Sequence, residues 1–153
     1  MLKFSADLKV NRPIEKVFDW LTNADNQGKF DKSSLEMEPL TPGPWRAGTQ
    51  FREMRDLGGR ETEVLSEVAE LETNRRFVIR SKTGPDWLGI WIFEPEGAGT
   101  RLRWTGQLTM KGFSRLLEPL IGRQMRSQIA QQFANLPNLI ESEIANPNTA
   151  TKP

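Results

Sequence analysis

One order of elements runs through nearly the whole chain. A short alternating strand leads into a Pro-started helix, several alternating strands follow, and one long apolar-striped helix closes the sequence. Successive antiparallel strands make a sheet with one face to bury, and a single long helix after them is the element able to cover it. The order therefore predicts an α+β domain in which a curved antiparallel sheet wraps around a long C-terminal helix. That arrangement leaves a hollow between helix and sheet, and the hollow, rather than a catalytic motif, is where function is expected.

Local patterns support each part. Phe4, Ala6, Leu8 and Val10 alternate with Lys3, Ser5, Asp7 and Lys9, the period of a half-buried strand. Asn11 and Pro13 then open a helix whose apolar face is Ile14, Val17, Phe18 and Leu21, with Trp20 off its centre. Thr22 to Lys32 reads as a turn or short helical connection, and 35–40 as a short strand. After the Pro- and Gly-rich loop 41–48, strands are expected at 49–57, 60–70, 75–81, 87–93 and 101–110. Gly58-Gly59 is a hairpin turn, because Gly accepts the positive φ of primed turns. The closing helix, 113–144, carries Leu117, Ile121, Met125, Ile129, Phe133, Leu136 and Ile140 on one stripe. Pro119 and Pro137 are each expected to kink or break it, and a break over 112–122 leaves a short lead-in helix and a longer main one. One domain over 1–145 and a disordered polar tail over 146–153 follow.

Composition narrows the chemistry. The chain has 153 residues, enough for one domain with a sizeable core, and no His, Cys or Tyr. That removes Ser-His-Asp and Cys-His nucleophile systems, zinc sites built on His or Cys, and haem ligation by His, Cys or Tyr. No cofactor and no metal are expected, and no catalytic residue is assigned. The net charge of +1 gives no electrostatic reason for a nucleic-acid partner. No apolar run suggests integral membrane association, and the N-terminal residues lack the apolar stretch of a signal peptide, so the reading is cytoplasmic. Arg75-Arg76 and the row Lys111, Arg115, Arg123 and Arg126 are either solvated faces or contacts for an anionic partner.

The hairpins fix which residues share a face. With Gly58-Gly59 as the turn, Leu57 faces Arg60, Arg55 faces Thr62 and Glu53 faces Val64. Thr49, Phe51, Glu53, Arg55, Thr62, Val64, Ser66 and Val68 then share one face, assigned as concave because the other is more charged. A buried charge needs a partner, and Glu53 and Arg55 either reach each other or reach a ligand. If Glu94 to Arg101 form the second hairpin loop, Phe93 faces Leu102, Trp91 faces Trp104 and Gly89 faces Gly106. Two Trp and two Gly on the inner face give either an aromatic-walled space for a small molecule or plain core. Leu88, Ile90 and Ile92, on the outer face, are a homodimer contact or are covered by Arg stems. Gln124, Gln128 and Gln132 repeat beside the apolar stripe, and reach into the hollow or mark its wet border. The candidate ligand-binding set is Phe51, Glu53, Arg55, Thr62, Trp91, Trp104, Met125, Gln128 and Ile129.

The strand before Asn11-Arg12-Pro13-Ile14-Glu15-Lys16-Val17-Phe18, the Gly48-Thr49 strand opening, Phe93-Glu94-Pro95 and Gly99-Thr100-Arg101-Leu102 together resemble the START-like superfamily. Within it they look most like the SRPBCC branch of polyketide cyclase/dehydrase-like lipid-transport proteins, over residues 1–144. The resemblance implies a helix-grip fold, a seven-stranded antiparallel sheet around the C-terminal helix, with a cavity for a hydrophobic small molecule. It transfers no shared catalytic residue, and one fold hosts many functions. The leading expectation is a noncatalytic binder or carrier of a hydrophobic or aromatic small molecule. A cyclase or dehydratase with Glu53 as base and Arg55 polarising a carbonyl is the alternative, and a co-chaperone-like interaction module is the second.

Overall fold

The structure, a computed structural model, describes residues 1–144. The expected tail over 146–153 lies outside the described residues. The strands are β1 (Leu2–Val10), β2 (Ser34–Pro39), β3 (Gln50–Leu57), β4 (Arg60–Glu72), β5 (Arg76–Ser81), β6 (Asp86–Glu96) and β7 (Gly99–Thr109). The helices are α1 (Ile14–Leu21), α2 (Gln27–Phe30) and α3 (Glu118–Glu143), with 3₁₀ turns at Ala24–Asn26 and Gly112–Leu117. All seven strands form one antiparallel sheet in the order β1-β7-β6-β5-β4-β3-β2. Only the partnership of β1 with β7 is distant in sequence, and it brings the first strand beside the last.

The hairpin registers are those the turn residues predict. Leu57 faces Arg60, Arg55 faces Thr62 and Glu53 faces Val64 around Gly58-Gly59. Trp91 faces Trp104 and Gly89 faces Gly106 in the β6–β7 ladder. Phe51, Glu53, Val64, Ser66 and Val68 are buried, so the concave face is the one assigned from charge. The second loop is shorter than expected: pairing continues to Glu96 opposite Gly99, leaving Gly97 and Ala98 as the turn. Gly97, at φ +61, supplies the left-handed residue that a two-residue turn needs.

The helices differ from expectation at their prolines. Pro13 stands just before α1, with extended backbone, and its carbonyl accepts the Lys16 and Val17 N–H groups. Pro119 lies in the first turn of α3, and Gly112–Leu117 forms the separate lead-in. Pro137 neither ends nor divides α3, which runs on to Glu143. Proline removes one N–H from a helical ladder, and the buried Phe133, Leu136 and Ile140 clamp the turns on either side.

Two motifs meet at the C-terminal end of α3. The Arg12 guanidinium donates to the Glu141 and Ile144 carbonyls, which a helix end leaves without internal partners. The Asn11 N–H donates to the Glu141 carboxylate at 2.7 Å. The buried Thr100 hydroxyl donates to the Arg12 carbonyl at 2.9 Å. A Cβ on Gly99 would stand 2.8 Å from the Val10 carbonyl oxygen, so only Gly fits there. Glu143 accepts from Trp20 Nε1 and Lys29 Nζ, which hold its carboxyl below the usual carboxylate range and join α3 to α1 and α2.

Candidate ligand-binding site

The interior between sheet and α3 is lined by rings. Phe77 stacks on Trp91 at 5.7 Å, and Phe133 of α3 approaches Trp104 to 4.7 Å and Trp91 to 5.7 Å. Phe18, Phe30 and Phe93 pack around them. Such offset and edge contacts add to the area each ring buries. The two glycines opposite each other do not hold space open for a ligand. A Cβ on Gly106 would lie 2.6 Å from Trp104 Cη2 and 2.7 Å from Trp87 Cη2, so that glycine makes room for the tryptophans. Trp91 and Trp104 are members of the core in this conformation.

Further toward β2 the concave face becomes polar. The Arg55 guanidinium donates to Glu53 Oε2 at 2.6 Å, to Asp31 Oδ2 at 2.8 Å and to Ser33 Oγ at 2.5 Å. Ser34 Oγ donates to the same Glu53 oxygen at 2.8 Å, and the Ser33 hydroxyl and N–H both donate to Asp31 Oδ1. Burial alone would raise the Asp31 pKa, but Arg55 and the two Ser33 bonds outweigh it and hold the carboxyl below the usual range. Burial likewise opposes the charge on Arg55, while Asp31 and Glu53 together keep its pKa raised. Each charge here is answered by another charge of the chain, which satisfies the demand buried ions make. A substrate group would have to break this network to reach Glu53 or Arg55. Among the described residues no group of three or more acidic side chains is placed to hold a metal ion.

A recess of about 310 Å³ opens between β1 and α3. Phe4, Ile129 and Phe133 give it an apolar lining, and Lys3 and Arg126 also border it. β1 builds it because its even-numbered residues face inward, and Ala6 follows Phe4 in that row as a small residue. The Arg126 guanidinium lies over the Phe4 ring, 5.5 Å from its centroid. The recess joins an apolar lining to the Arg126 guanidinium, an arrangement that takes a molecule with an apolar body and a negative end.

The predicted site residues fall into separate places. Glu53, Arg55 and Thr62 lie at the polar end of the sheet, Arg55 facing Thr62 across the ladder. Phe51 is fully buried with Ala24 and Val68 in a small cluster under Trp45. Trp91 and Trp104 form the ring layer, Met125 and Ile129 are half-buried on α3, and Gln128 is exposed. Ile129 lies in the recess, and Phe133 joins the recess to the ring layer. Sequence reasoning missed Asp31, Ser33 and Ser34, which sit where a polar connection becomes a strand. The Asp-Lys-Ser-Ser run was a usable signal, since Asp accepts the N–H two residues on. It named Arg126 only within a basic row and did not name Lys3, because nothing local says that β1 and the middle of α3 are neighbours.

The chain matches the sequence profile of the family described as polyketide cyclase / dehydrase and lipid transport over residues 1–141. No curated protein matched it in sequence. Among solved structures, a Thermus thermophilus protein is 22% identical, with TM-score 0.76 and coverage of 94% of this chain and 99% of that one. The Zhui aromatase/cyclase of Streptomyces sp. R1128 is 14% identical, with TM-score 0.72 and 92% of each chain covered. A START superfamily protein of Mycobacterium smegmatis is 12% identical, with TM-score 0.70 and coverage of 94% of this chain and all (100%) of that one. At these identities the likeness is one of fold.

Proposed function

Because the chain belongs to the polyketide cyclase / dehydrase and lipid-transport family, we propose that it binds and carries an amphipathic small molecule, apolar along its body and anionic at one end, between β1 and α3. The observation that carries this reading is the recess itself, with Phe4, Ile129 and Phe133 as its apolar lining and the Arg126 guanidinium over the Phe4 ring. Its volume lies at the small end of the range for ligand pockets, which suits one acyl chain or one small ring system. A longer ligand would press on Phe133, behind which Trp104 and Trp91 are the next contacts. Carriage is favoured over cyclase chemistry because Glu53 and Arg55 are spent on each other and on Asp31. No helix among the described residues is long and apolar enough to cross a membrane.

Calorimetric titration tests this with a long-chain fatty acid and the alcohol of equal length. The acid should bind more tightly than the alcohol, and Arg126→Ala should weaken the acid about tenfold, the value of one charge-assisted hydrogen bond. The alcohol should be little affected. Equal binding of acid and alcohol, or an acid indifferent to Arg126→Ala and Lys3→Ala together, would remove the recess from the binding of such ligands.

A further inference from the structure

We propose that the segment Gly112–Leu120 is a docking face for an anionic phospholipid bilayer. Gly112, at φ +64, turns the chain out of β7, and the 3₁₀ turn and first turn of α3 then present four large apolar side chains to solvent. Phe113 is 90% exposed, Leu116 78%, Leu120 67% and Leu117 54%. The apolar stripe of α3 is buried from Phe133 onward and half-covered from Ile121 to Ile129, whereas Leu117 and Leu120 before it meet solvent. A contiguous apolar patch of this kind on a small domain marks a surface that meets something.

The charges beside the patch say what that partner is. Lys111, Arg115, Arg123 and Arg126 are all exposed. None of the four forms an ion pair among the described residues. The one carboxylate between positions 111 and 126, Glu118, is already bonded to the Met1 amino group. The surface cations Arg52, Arg80, Arg101 and Arg103 are matched to carboxylates, whereas along 111–126 all four cations stand without one. A second copy of the chain docked face to face would set these cations against their own counterparts. A bilayer with anionic headgroups answers both features, since its acyl boundary takes Phe and Leu while its surface takes Lys and Arg. Lys111, Arg115 and Arg123 do not line the recess, so this inference stands whether or not the recess holds a ligand.

Flotation of the full chain with vesicles tests it, using pure phosphatidylcholine and phosphatidylcholine mixed with phosphatidylglycerol. The chain should float with the mixed vesicles and not with the neutral ones, and added salt should release it. Arg115→Ala should weaken binding about fivefold, the effect of one basic residue at an anionic surface. Phe113→Ser combined with Leu116→Ser should abolish flotation while leaving the melting temperature unchanged, because both side chains are exposed. Three results would overturn the proposal: equal binding to both vesicle types, no binding to either, or reversible dimerisation in sedimentation that the same double substitution abolishes.

Discussion

Arg55 bonds Asp31 and Glu53 at once, and removing it would leave two carboxylates in the interior with only uncharged donors, from Ser33, Ser34 and Gln27, beside them. Arg55→Met should therefore cost about 3–5 kcal/mol, the usual consequence of opening a buried ion pair from one side. Arg55→Lys should recover only part, since an ammonium cannot fork to two carboxylates and a hydroxyl with the same geometry. Denaturant unfolding measures both, and a loss under about 1 kcal/mol for Arg55→Met would mean that the network is solvated like a surface pair. Asp31 adds a pH dependence of definite sign. Its folded pKa lies below its unfolded value, so the unfolded chain binds more protons in the window between them. The stabilisation is complete above the unfolded value of about 4 and is lost as pH falls through the lower folded one. Asp31→Asn should lose stability at neutral pH and show a flatter decline below about pH 4 than the parent. Parallel unfolding curves for the two proteins across that range would remove Asp31 as the source.

At the scale of elements, α3 is held at one end. Arg12, Asn11 and Trp20 bind its last turns, and Phe133, Leu136 and Ile140 are buried, whereas Ile121, Met125 and Ile129 are only half-covered. Phe133→Ala should cost about 3–5 kcal/mol and Ile121→Ala about 1 kcal/mol or less, because the second site already meets solvent. Amide exchange should show the same gradient, slow from Phe133 to Ile140 and faster before Met125. Comparable losses from both substitutions would mean that the helix is gripped evenly. The strands are legible in the sequence because period-2 alternation and paired glycines act locally, and Gly58-Gly59 alone sets which residues of β3 and β4 face inward. Pro137 misleads for the opposite reason. Its local cost is real, but it is outweighed by packing that the sequence near it does not announce.

The whole molecule shows why the fold can be read further than the site. The motifs Asn11-Arg12-Pro13 and Gly99-Thr100, which carry the resemblance, build the junction at the end of α3. The recess has no such wording. Phe4 and Arg126 are far apart in the sequence, and the approach of the guanidinium to the ring depends on α3 packing against β1. Trp91 and Trp104 stand opposite each other as the hairpin predicts, but whether two facing rings enclose space depends on Phe133, which enters from another element. That dependence couples recess and interior. A ligand resting on Phe133 must disturb a ring 4.7 Å from Trp104, so binding should change tryptophan emission through that indole above the others. Titration of the parent with a long-chain fatty acid should therefore alter its fluorescence. Trp104→Phe should lose most of that change while keeping the affinity measured by calorimetry, because Trp104 stands behind Phe133 rather than in the recess. An unaltered signal in Trp104→Phe would place the ligand away from Phe133, and loss of affinity together with the signal would place it deeper, against Trp104 itself.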